Sequence, residues 1–324
     1  MSLSFAYDLL MYILARIYEF IWCRDKPIPL KCLVGKTAIV TGGNAGIGLA
    51  TATVLASRGC RVILADCQNG ESSRDQIIAS TDNKNIVYKH LDLSSLQSVR
   101  NFAANICKTE EKIDILINNA GIGLTKRLVS VDGLNYLMQV NIFGAFLLTH
   151  LLLEPMKKAK QAKVIFVSSV LANFHSLRAE KLNITDFEMD DEHQILLYSN
   201  SKACCILAAQ EFGKKLEKYG ITANSIDPVG VRTQIFKPLG DYNNWLMKSF
   251  LMVGLQLAAQ DVLDVANCFL NVAIRNEPAT NGKNYVLSHI GRKPTILMDR
   301  KLCQDLWSKM EDLVELKPEE KIVS

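Results

Sequence analysis

Short runs of branched and aliphatic residues alternate along this chain with helix-length stretches. The strand-like runs are residues 36–41, 61–65, 86–90, 113–117, 163–167 and 222–226. Several are apolar throughout, as in Val164-Ile165-Phe166-Val167. Strands buried on both faces read this way, and strands separated by helices build parallel sheets covered on both sides. No low-complexity linker interrupts residues 35–290. The pattern predicts one α/β domain over 35–290, a doubly wound parallel sheet of the Rossmann type, followed by a helical tail over 291–324.

Ahead of that domain, residues 5–23 are dense in Leu, Ile, Met, Tyr, Phe and Trp, interrupted by Asp8, Arg16 and Glu19 and followed by Arg24, Lys26 and Pro27. A bilayer-spanning helix takes ~20 mostly apolar residues. A charge at its centre costs ~2.5–3.5 kcal/mol on insertion scales. Arg16 and Glu19 therefore favour a partly interfacial or hairpin anchor within residues 1–25. No small-residue cleavage site follows it. Basic residues flank only its C-terminal side, and the positive-inside bias then places the rest of the chain in the cytosol. The sequon Asn183-Ile184-Thr185 is expected to stay unmodified there.

Composition narrows the class further. The chain has 324 residues, and 37 Lys+Arg against 33 Asp+Glu leave a net charge of only +4, too weak and too scattered for a nucleic-acid footprint. With 49% hydrophobic and 22% charged residues the chain has ample apolar surface for a large core. The nine cysteines are odd in number and form no Cys-x-x-Cys pair, which argues against a disulfide scaffold or a zinc site and for a reducing compartment.

Two constellations carry chemistry. The first strand runs into Thr41-Gly42-Gly43-Asn44-Ala45-Gly46-Ile47-Gly48 and then a helix. Glycines there let backbone amides approach a pyrophosphate, and the helix N-terminus adds partial positive charge. The spacing, G-x-x-x-G-x-G, departs from the common dinucleotide fingerprint, but its place between strand and helix supports the assignment. The second constellation is Tyr198-Ser199-Asn200-Ser201-Lys202, with hydroxyl and amine at i and i+4 on one helix face. A phenol titrates near ~10, and a cation within ~4–6 Å lowers such a value by ~1–3 units, into the range of a general acid or base. The second strand ends in Asp66, a carboxylate placed to accept ribose hydroxyls and to repel a 2′-phosphate, and Cys67, Gln68 and Asn69 supply no cation. This favours NAD over NADP.

Thr41 to Gly48 matches the T-G-x-x-x-G-I-G motif, and the chain over about 35–290 resembles the short-chain dehydrogenase/reductase family. Asp92 and the run Asn118-Asn119-Ala120-Gly121 match further family marks. The resemblance implies that Thr41, Gly42, Asn44, Gly46, Ile47, Gly48 and Asp66 line the cofactor site. It adds Asp92 at the adenine, and Asn118, Ala120 and Gly121 in the cleft. It makes Tyr198 the proton donor or acceptor, Lys202 the ribose-holding cation, Ser169 the substrate-oxygen partner with Ser168 its structural neighbour, and Asn141 the helix-kinking asparagine that anchors a relay water. Pro228, Val231 and Thr233 would face the nicotinamide, although Asp227-Pro228-Val229-Gly230 departs from the family's adjacent Pro-Gly.

The 29-residue spacing from Ser169 to Tyr198 (198 − 169) resembles the retinol-dehydrogenase-like branch, and residues 304–310 are similar to the end of its polyprenol-oxidising members. Ile235, Phe236 and the apolar stretch 245–253 occupy the region that covers substrate in the family, which implies a lipophilic alcohol or aldehyde drawn from the membrane. The resemblance implies residence on the endoplasmic reticulum membrane or lipid droplets, and a possible homodimer through helices around 132–157 and 196–218. A catalytically quiet nucleotide-binding membrane protein is disfavoured by the intact Asn141, Ser169, Tyr198 and Lys202. An NADP-dependent carbonyl reductase is disfavoured by Asp66 and the anchor.

Overall fold

The computed structural model describes residues 31–123, 125, 128–185, 191–229, 261–275 and 280–322. Among the described residues, one sheet carries eight strands in the order β3-β2-β1-β4-β5-β6-β7-β8. β1 (Thr37–Thr41), β2 (Arg61–Asp66), β3 (Ile86–His90), β4 (Ile115–Asn118), β5 (Lys163–Val167), β6 (Thr222–Asp227) and β7 (Asn284–Val286) are parallel. β8 (His289–Ile290) returns antiparallel on β7. Strand order reverses between β1 and β4, and in such sheets the crevice beyond the strand ends at this reversal is where ligands bind.

Among the described residues, the α-helices longer than one turn are, in chain order, α1 (Gly46–Ser57), α2 (Glu71–Thr81), α3 (Leu96–Thr109), α4 (Gly144–Leu151), α5 (Leu153–Lys158), α6 (Asp191–Leu216), α7 (Val262–Ile274) and α8 (Arg300–Leu313). Successive strand side chains point to opposite faces and divide the core in two. Ile39, Leu116, Val164 and Phe166 pack under α3, α4 and α6, whereas Ala38, Val40, Ile115, Ile117 and Ile165 pack under α1 and α7. The fourth strand begins at Ile115 rather than 113: Ile113 gives its N–H to the Pro155 carbonyl, while Asp114 bonds Thr37 and Lys163 through its backbone and turns its carboxylate to the Thr37 N–H and the Lys36 ammonium.

The tail is part of this core. Leu306, Trp307 and Met310 of α8 are buried, and the Trp307 ring lies 4.8 Å from Phe146 and 4.9 Å from Phe212, edge-on to both. Asp299 caps the helix by accepting the N–H groups of Lys301 and Leu302. Arg100 of α3 holds the chain beyond it through the Glu315 carbonyl and the Glu320 carboxylate. Part of the face expected to pair subunits is therefore occupied by the chain's own tail. The expected anchor over 1–25 and the apolar stretch 235–253 lie outside the described residues. Among the described residues, no helix is long and apolar enough to cross a membrane.

Candidate active site

The loop from β1 to α1 is built for close approach by another backbone. A Cβ on Gly48 would stand 2.0 Å from the Gly42 carbonyl oxygen, and one on Gly42 would stand 2.9 Å from the Ala120 Cα. Gly42 also has φ +65°, and its N–H is given to the Ala65 carbonyl at 2.8 Å. Thr41 Oγ1 accepts the N–H groups of Asn119 and Ala120, at 3.0 and 2.9 Å, which clamps the β4 loop onto the glycine loop. The N-cap residue Ala45 offers no side-chain bond, so no side chain caps the amides of Gly46, Ile47 and Gly48. Bare backbone, an uncapped helix start and an acidic strand end fit a dinucleotide.

That acidic end is Asp66. Its carboxylate accepts the Asn44 N–H at 3.2 Å and the Gln68 N–H at 3.1 Å, one on each oxygen, and is also hydrogen-bonded by the Cys67 side chain. Asp92 shapes the turn into α3 by accepting from Ser94, while its own N–H goes to Ser98 Oγ. Asn118 directs its amide to Thr149 Oγ1 at 3.1 Å and so ties β4 to α4. The neighbouring Asn119 bridges instead to the Thr41 and Gly42 carbonyls.

Beside the cleft, Asn141 sits in a π-helical turn, Gln139–Phe143, that interrupts the run into α4. Such one-residue widenings occur at functional sites. Its Oδ1 accepts the Ile122 N–H at 2.7 Å, and its Nδ2 donates to the Ile122 carbonyl at 3.0 Å and to Ser201 Oγ at 3.1 Å. Ser201 in turn donates to the Tyr198 carbonyl, and the Cys205 thiol meets the Asn141 carbonyl at 3.5 Å. Ser201 and Cys205 escaped the sequence reading, since only the fold brings them to Asn141 across 60 and 64 residues. Their positions on the Tyr198/Lys202 face, at i+3 and i+7, were the available signal.

Tyr198 is 5% exposed, and its side chain is hydrogen-bonded to Ser169 at the end of β5. Ser168 instead donates to the Lys202 carbonyl at 2.9 Å. Lys202, 3% exposed, donates to the Val167 carbonyl at 3.0 Å, and its ammonium lies 5.6 Å from the centre of the Tyr198 ring. Burial lifts the phenol above its ordinary value; the Ser169 bond pulls it down, and the Asp227 carboxylate lifts it further. The lowering expected from Lys202 is absent from this balance: its ammonium is committed to the Val167 carbonyl, and burial, which penalises the phenolate, dominates. Burial also lowers Lys202, against which Cys205 and Asp227 act. Gly121 leaves these groups open: a Cβ there would stand 3.3 Å from Lys202 Nζ.

Pro228 is buried at the end of β6, and Val229 adopts φ +60° where the family places glycine. Asp227 Oδ1 holds that left-handed residue by accepting its N–H at 2.9 Å. A branched side chain in this region is strained by ~1–2 kcal/mol. Val231 and Thr233 lie outside the described residues.

This arrangement, a glycine cradle facing a buried Tyr–Lys pair, agrees with the comparisons. Residues 36–180 match the model of the short chain dehydrogenase family. Dehydrogenase/reductase SDR family member 13 of Bos taurus is 33% identical over 299 residues, 90% of this chain and 76% of that protein. The chain belongs to the short-chain dehydrogenase/reductase family and is an oxidoreductase acting on CH–OH groups with a nicotinamide cofactor. Its branch is the retinol-dehydrogenase-like one: retinol dehydrogenase 11 of Homo sapiens is 32% identical over 293 residues, 88% of this chain and 87% of that enzyme. Among solved structures, L-sorbose reductase from Gluconobacter frateurii, complexed with NADPH and L-sorbose, shares the fold at a TM-score of 0.62 and 20% identity, over 81% of this chain and 98% of that one.

Proposed function

We propose that the protein is a membrane-anchored, NAD-dependent dehydrogenase of lipophilic alcohols, of the polyprenol or retinol class, with its catalytic domain on the cytosolic face of the endoplasmic reticulum membrane or of lipid droplets. The observation that carries the reaction is the Ser169 bond to a phenol that is buried beside Lys202. A bound oxidised nicotinamide supplies the hydride acceptor and a positive charge.

Ser169 and Tyr198 together hold the substrate oxygen, and Tyr198 takes its proton as the alcohol becomes a carbonyl, or returns it in reduction. Burial keeps the phenol protonated at rest, which suits the acid role directly. For the base role, the Ser169 bond stabilises the phenolate as it forms. Lys202 is fixed by the Val167 carbonyl and places its charge at the ribose side of the cleft. Asn141, locked to Ile122 and Ser201, keeps the β4 loop and the catalytic helix in register.

NAD rather than NADP is supported by the Asp66 carboxylate, which would repel a 2′-phosphate, with no cation at 67–69 to offset it. A lipophilic substrate is supported by the anchor sequence over 1–25 and the apolar stretch 245–253. The test is turnover by the full chain of retinol and of a polyprenol, each carried in liposomes, with NAD and with NADP. NADH formation from either alcohol is expected. Failure on every long-chain alcohol, with turnover of soluble polyols, would overturn the substrate class, and a higher kcat/KM with NADP would overturn the cofactor.

A further inference from the structure

We propose that Asp227 sets the site's preference for the oxidised nicotinamide ring, by holding a fixed negative charge against the ammonium of Lys202. The inference rests on the reading above, with the nicotinamide beside Tyr198, Lys202 and Pro228 as the family resemblance implies. Asp227 is the last residue of β6 and is 3% exposed. The neighbouring ends of β5 and β6 are tied by the Ser168 N–H to the Ile226 carbonyl at 2.8 Å, and Lys202 binds the Val167 carbonyl one residue earlier. Asp227 therefore follows directly on the residue paired with the lysine's anchor.

Its carboxylate is also fixed in direction. Oδ1 accepts the Val229 N–H at 2.9 Å, and the backbone carbonyl accepts the Leu287 N–H at 2.9 Å. The carboxylate acts on both side chains: it adds to the burial that lifts Tyr198 and, after Cys205, opposes the burial that lowers Lys202. Charges removed from water are screened weakly, so their effects extend over several ångströms.

The oxidised ring carries one positive charge that the reduced ring lacks, so only a charged group near the ring separates the two forms. Lys202 alone repels the oxidised ring. Asp227 offsets that repulsion and lets the lysine remain protonated beside a second cation. The overall equilibrium of the reaction is untouched; what shifts is which cofactor form the site retains.

Asp227→Asn isolates the charge, because the amide oxygen can still accept the Val229 N–H. Kd for NADH is read from nicotinamide fluorescence and Kd for NAD+ from displacement, on the full chain in detergent, with thermal melting to confirm folding. The ratio Kd(NAD+)/Kd(NADH) is expected to rise about tenfold, which is ~1.4 kcal/mol. Asp227→Ser, whose hydroxyl can also accept the Val229 N–H, is expected to raise the ratio likewise, and it carries the test if Asp227→Asn fails to fold. An unchanged ratio in the folded variants, or equal losses for both cofactor forms, would overturn the role of Asp227 and leave the cofactor reading intact. A wild-type chain that binds neither form would overturn both.

Discussion

Gly48→Ala tests the cradle at its tightest point. The added Cβ would lie 2.0 Å from the Gly42 carbonyl oxygen and 2.6 Å from Asn119 Nδ2. Even close carbon–oxygen contacts sit at ~3.3–3.6 Å, so the loop and the start of α1 must separate by more than ~1 Å. Two bonds resist that movement: the Gly42 N–H to the Ala65 carbonyl and Asn119 Nδ2 to the Thr41 carbonyl, each 2.8 Å. Overpacking of this kind costs ~1–3 kcal/mol. The displaced amides are the ones assigned to the pyrophosphate, and losing one such contact raises Kd by about tenfold, or ~1.4 kcal/mol. The assay pairs an NADH fluorescence titration with thermal melting, with and without NADH. A lower melting temperature and a Kd raised at least ~10-fold are expected. A variant that melts and binds NADH like the wild type would refute the close approach of Gly48 to Gly42 and the role assigned to the loop.

Three further outcomes follow from particular residues. His150 is 3% exposed among Phe146, Phe212 and Trp307, and burial pushes its imidazole down to about 4. As pH falls below ~6.5 the unfolded chain takes the proton first, so stability drops by up to ~3 kcal/mol by pH 4 and levels off once the folded ring protonates. His150→Leu should lose that component in urea melts across this range, and stability profiles parallel to the wild type would contradict it. Asp66→Ala should narrow the kcat/KM gap between NAD and NADP by removing both an acceptor and a repulsion; an unchanged ratio of the two would count against Asp66 as the discriminator. Deleting residues 1–25 should lower kcat/KM on a liposome-borne polyprenol at least ~10-fold, or ~1.4 kcal/mol, with little change on a short soluble alcohol. Equal losses on both substrates would make the segment structural.

Much of the sheet was legible in the sequence because β1, β2, β4 and β5 are mainly apolar runs bounded by turns, and buried parallel strands leave that mark. β7 and β8 left none, being three and two residues long and stabilised by their neighbours rather than by a run of their own. The docking of α8 was equally hidden, since Trp307 finds Phe146 and Phe212 only through the tertiary path of the chain. At the site, Thr41–Gly48 and the Tyr198/Lys202 spacing are local patterns and could be read directly. Ser201 and Cys205 act through a partner 60 and 64 residues away, for which no local spacing exists. The Tyr198 shift runs opposite to the expected one for a related reason: the lysine is visible in sequence, but the burial that dominates the phenol is a property of the whole fold. Val229 in a left-handed turn is the remaining surprise, held there by the carboxylate two residues before it.

The central claim, that the Tyr198 phenol moves the substrate's proton, is tested most directly by single-turnover hydride transfer in Tyr198→Phe, followed by nicotinamide absorbance at saturating NAD and liposome-borne alcohol. The substitution removes one buried hydroxyl and leaves the ring, Lys202 and the glycine cradle in place. The single-turnover rate is expected to fall ~10²–10⁴-fold, the usual contribution of a positioned acid or base, while Kd for NADH stays within ~3-fold of the wild type. A rate close to wild type would contradict the assignment of Tyr198, and a rate loss matched by an equal loss of NADH binding would assign it a structural role instead.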